Sequence, residues 1–128
     1  MNPKEIKLGN KTWWVKPIEM LVHNWALIEE DSKNKFTVYF FHDRGTTKGG
    51  GPKTNPYRNL MQENGFIAII DSLKFKSRNE CEIALRRNNF ELLSELPGPW
   101  VGEEPDGKIY DAREYEEGIY SNAGYWKR

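Results

Sequence analysis

Two apolar runs, Asn24-Trp25-Ala26-Leu27-Ile28-Glu29 and Phe36-Thr37-Val38-Tyr39-Phe40-Phe41-His42, flank a wholly polar stretch from Glu30 to Lys35. Strand-length runs on either side of a short polar turn predict a β-hairpin spanning about 24–42. Upstream, Thr12-Trp13-Trp14-Val15-Lys16-Pro17-Ile18 is rich in strand formers, and Pro17 should end or edge any ladder there. Downstream, Phe66-Ile67-Ala68-Ile69-Ile70 is a continuous apolar run of strand length, as expected of a central strand buried on both faces. Leu73-Lys74-Phe75-Lys76 alternates and predicts a further strand.

Ser77-Arg78-Asn79-Glu80 then fits a capping box, with Ser77 as N-cap and Glu80 reaching back to its amide. Cys81, Ala84 and Leu85 recur at i, i+3 and i+4, which gives the helix over about 77–88 a narrow apolar face. Arg86 and Arg87 suit the negative end of its dipole, Asn88-Asn89 supplies a left-handed stop, and Phe90 should fold back on the last turn. Tyr57 to Glu63 predicts two helical turns, Asp111 to Glu117 a short acidic helix capped by Asp111, and Ile119 to Lys127 a small hairpin. Together these elements predict one α+β domain over residues 1–128: a mostly antiparallel or mixed sheet with the main helix packed on it.

Length agrees with a single unit, since 128 residues is close to the usual size of one domain. The aromatic share of 13% guarantees material for a core. Cys81 is the single cysteine, so no internal disulfide is expected and a reducing compartment is the simplest setting. No stretch approaches the roughly 20 apolar residues that cross a bilayer, and Met1 to Asn10 does not read as a leader. A cytoplasmic protein without membrane contact is the expectation.

Net charge is zero but unevenly spread. Residues 1–60 carry ten Lys/Arg against six Asp/Glu, whereas residues 91–128 carry four against nine. A zero total argues against a general nucleic-acid binder, which needs a sustained basic surface. One basic tract stands out: Arg44, Lys48, Lys53 and Arg58 lie in a Gly-rich loop with no acidic residue from Arg44 to Gln62. The P-loop pattern fails there, because Gly51-Pro52 follow Gly50 where Lys and Ser/Thr are required. A site for an anion remains, with Trp13 or Trp14 as stacking platforms for a nucleic acid.

Two other groupings bear on chemistry. His42-Asp43-Arg44 sits where a strand enters that loop, and a histidine near a carboxylate suits a general base. Adjacent strand residues point to opposite faces, however, which places His42 at the core edge with Phe36, Val38 and Phe40. Glu103, Glu104, Asp106 and Asp111 do not follow the EF-hand spacing, and no metal or cofactor is expected. Gly118-Ile119-Tyr120 is half of the GIY-YIG nuclease signature, but it stands near the C-terminus without a downstream partner motif and is set aside.

The reading that follows is a non-catalytic interaction protein that binds or inhibits another protein, such as an immunity or inhibitor factor. The acidic, aromatic C-terminal third should face the partner through Glu114, Glu116, Glu117, Tyr120 and Trp126. Nucleic-acid or phosphate binding through Arg44, Lys48, Lys53 and Arg58 is the second reading, and a small enzyme using His42, Asp43 and Arg44 the third.

Overall fold

Asp31 and Lys35 close the predicted hairpin. The Asp31 amide donates to the Lys35 carbonyl at 2.8 Å, and the Lys35 amide returns to Asp31 Oδ1 at 3.0 Å. Asn34 takes the left-handed backbone conformation (φ 58°) that lets the chain reverse. In this computed structural model the described residues are 5–9, 12–19, 22–31, 34–42, 67–96, 109–111, 113, 120, 121 and 126. The hairpin strands are β3 (Val22–Glu30) and β4 (Phe36–His42), in register from Asn24↔His42 to Glu30↔Phe36. The others are β1 (Glu5–Ile6), β2 (Trp14–Glu19), β5 (Ile67–Phe75), β6 (Glu91–Leu92) and β7 (Ile109–Asp111). They form one seven-stranded sheet in the order β1-β7-β5-β4-β3-β2-β6. All pairs are antiparallel except β5 with β7, so the sheet is mixed and the fold is α+β.

The two strands expected at 66–70 and 73–76 are a single strand, β5. A bulge joins them: Phe40 pairs with Asp71 and Phe41 with Ile69, which leaves Ile70 as the extra residue. The polar pair Asp71-Ser72 lies inside the strand and does not break it. Pro17 sits in β2 where the two-residue β6, paired only to Trp14 and Val15, no longer covers the edge. A residue without an amide proton is tolerated there.

The helix α1 (Arg78–Arg87) is fixed at both ends by its own sequence. Ser77 Oγ accepts the Glu80 amide at 3.1 Å. Glu80 Oε2 in turn accepts the amide of Lys76, at 3.0 Å, one residue before the expected one. At the other end Asn89 is left-handed (φ 71°), the Phe90 amide reaches the Leu85 carbonyl and the Asn89 amide the Arg86 carbonyl. This is a Schellman stop with asparagine at the position glycine usually takes.

Both sheet faces are buried. Cys81 and Leu85 of α1 pack with Trp14, Ala26, Ile28, Val38, Phe40, Ile70, Leu73, Phe90 and Tyr120 on one face. Leu8, Trp13, Val15, Trp25, Leu27, Phe41, Ile69 and Ile109 form the cluster on the other. Strand alternation therefore sends the neighbours Trp13 and Trp14 into different clusters, 4% and 2% exposed. Burial at that level removes both from consideration as stacking platforms for bases.

Asp71 ties the C-terminal segment to the sheet. Its Oδ2 accepts the amides of Tyr120 and Ser121 at 2.7 and 2.8 Å, and its Oδ1 accepts that of Ser72 at 2.8 Å. The Tyr120 ring stacks on Phe40 with centroids 4.2 Å apart, and Asn24 Nδ2 donates to its hydroxyl at 2.5 Å. A short element, the 3₁₀ turn Leu93–Glu95, follows β6.

A candidate docking groove beside the helix

The residues expected to carry function fall into three groups in the structure. Arg44, Lys48, Lys53, Arg58, Asp43, Glu114, Glu116 and Glu117 lie outside the described residues, as does the proposed helix at 57–63. His42 is placed by its backbone, opposite Asn24 in the hairpin. Tyr120 and Trp126 are described; Tyr120 is buried and Trp126 partly buried. Tyr120 is 4% exposed, and Trp126 packs edge-on against Tyr120 and Phe40 at 5.6 and 5.5 Å. For Tyr120 this differs from the expected surface anchor, since its ring belongs to the core, while Trp126 packs at the edge of that core. Asp111 ends β7, and its Oδ1 accepts the Arg113 amide at 3.0 Å.

The groups with reactive potential are likewise occupied. Cys81 is fully buried, and that burial pushes its thiol up to about 11, so it is no nucleophile at neutral pH. His23 is buried beside Trp25, ring centroids 5.9 Å apart. Among the described residues no three His, Cys, Asp or Glu side chains are grouped to hold a metal ion.

The cations divide more informatively. Arg86 makes a two-pronged pair with Glu95, both contacts 3.2 Å, and lies over the Trp14 ring at 5.0 Å. Arg113 is held by Asp111, donates to Ser72 Oγ at 2.7 Å and covers Tyr39. Among the described residues no ion pair engages Lys35, Lys76 or Arg87. These three gather at one place.

That place is an open groove of about 550 Å³ between α1, the end of β5 and the hairpin turn. Glu80, Ile83, Ala84 and Arg87 line its helical wall, at positions i, i+3, i+4 and i+7 of one helix face. Lys74, Phe75 and Lys76 line it from β5, and Lys35 from the turn. Lys35, Lys74, Lys76 and Arg87 therefore supply the basic lining of the groove. Its acidic member, Glu80, is committed to the Lys76 amide. Ile83 is 47% exposed, the one large apolar side chain among the described residues left facing water. The sequence carried a signal for it: Ile83 falls beside the Cys81-Ala84-Leu85 stripe, between the charged residues Glu80 and Arg87 at i−3 and i+4.

No protein-family model matches the chain, and comparison with curated proteins and with solved structures gives no match. Among the described residues no helix is long and apolar enough to cross a membrane.

Proposed function

We propose that this chain is a non-catalytic interaction protein, one that binds or inhibits another protein, and that it docks its partner through the groove beside α1. One observation carries the reading: an exposed isoleucine on a doubly capped helix, beside cations that make no ion pair among the described residues. Interfaces need an apolar anchor inside a polar rim, and anchors held on a rigid element lose little entropy on binding. The second reading, nucleic-acid binding through the 44–58 loop, loses support because Trp13 and Trp14 are core residues. The proposal places the protein in the cytoplasm, where the lone, buried Cys81 stays reduced.

The test is capture from cell extract with the full chain as bait, with and without nuclease, beside an Ile83→Glu variant. A retained protein that survives nuclease and is lost with Ile83→Glu is the expected result. Retention that nuclease abolishes, or that ignores the variant, overturns the proposal.

A further inference from the structure

Resting on that reading, we propose that the groove takes an acidic, aliphatic segment of the partner protein: a leucine- or isoleucine-like side chain seated on Ile83 and Ala84, flanked by carboxylates that meet Lys35, Lys76 and Arg87. The floor and the rim of the groove define this occupant. The floor is apolar, made by Ile83, Ala84 and Phe75, with the Phe75 ring partly buried and packed against Trp126. Among the described residues the rim holds four basic side chains, Lys35, Lys74, Lys76 and Arg87, against one carboxylate, Glu80, which also caps the helix. That excess of positive over negative charge raises the local potential, which an incoming acidic segment relieves.

Size narrows it further. Glu80 to Arg87 is seven residue steps along the helix, about 10 Å at 1.5 Å per residue. This matches about three to four residues of extended peptide at roughly 3.3 Å each. A lone aliphatic residue with an acidic neighbour on each side fills that span.

The experiment is selection from a random peptide display library on the immobilised full chain, followed by affinity measurement of the enriched peptides against Ile83→Asp and Arg87→Glu variants. Both positions are exposed, and circular dichroism checks that the variants fold. Enriched peptides should place an aliphatic residue between Asp or Glu within about four positions. Their affinity should fall at least about tenfold in each variant, which corresponds to one lost anchor or one reversed ion pair. Lysine-for-glutamate versions of the same peptides should regain binding to Arg87→Glu.

Basic or uncharged consensus peptides, or acidic ones indifferent to both variants, would overturn this inference while leaving the interaction reading standing. An empty selection accompanied by binding of a single-stranded oligodeoxynucleotide would overturn both. Self-association abolished by Arg87→Glu, seen by sedimentation, would replace the partner segment with a second copy of the chain.

Discussion

Asp71→Asn should destabilise the fold by about 2–4 kcal/mol, and the reasoning rests on three amides. The carboxylate is 5% exposed and receives the amides of Tyr120, Ser121 and Ser72. Hydrogen bonds to a charged group are worth about 1.5–3 kcal/mol each, neutral ones about 0.5–1.5. Asparagine keeps the shape but only one acceptor oxygen. If that oxygen serves Tyr120 and Ser121, both bonds weaken to neutral strength and the new NH₂ meets the Ser72 amide donor to donor. The sum is reduced because a buried carboxylate also costs desolvation that the amide does not. Urea unfolding reads the change as a lower midpoint at unchanged slope, with Asp31→Asn in the exposed turn as a milder control. The near-ultraviolet signal should weaken too, since Tyr120 holds the packing of Phe40 and Trp126. A loss below about 0.5 kcal/mol, the usual scale of a surface change, would refute the assignment of Asp71 as the clasp of the C-terminal segment.

Leu85→Ala should cost about 2–5 kcal/mol as a fully buried truncation, and Ile83→Ala under about 0.5 kcal/mol; equal losses in chemical denaturation would contradict the inward and outward assignment of α1's faces. Burial pushes the Tyr120 phenol up to about 12 from an ordinary 10.0, so its contribution is full below pH 10 and drains away as pH rises toward 12. The unfolded ring ionises first across that window, a loss on the order of 2–3 kcal/mol. Tyr120→Phe should start less stable, because Asn24 loses its acceptor, yet show a flatter pH profile. Cys81 should react with a thiol reagent only as fast as the protein unfolds, and prompt labelling in the native state would contradict its burial.

What was legible in the chain was what local physics decides. The hairpin at 24–42 and both ends of α1 depend on residues within a few positions of one another; Ser77, Asn89 and Phe90 do what their types predict, and Glu80 caps one residue upstream of the expected amide. Pairings across long separations were not legible. The parallel contact of β5 with β7 and the short β6 along β2 have no local signature. Asp71 looked like a strand break because its partners, Tyr120 and Ser121, lie 49 and 50 residues away. The same distance hid Tyr120's role: a tyrosine in an acidic, aromatic C-terminal third suggests a surface, and a clasp from β5 turns it into the core. Of the groove, Ile83 was visible as an apolar residue off the helix stripe. Its cations come from positions 35, 74, 76 and 87, which only the folded sheet brings together.

Mapping of amide shifts in the isotope-labelled full chain, titrated with an enriched acidic peptide, tests the docking groove most directly. The account predicts the largest changes at Phe75, Lys76, Ile83, Ala84 and Arg87, with Lys35 in the facing turn. Changes confined to residues 114–126, with the α1 amides unmoved, would contradict it and return the binding surface to the acidic C-terminal third.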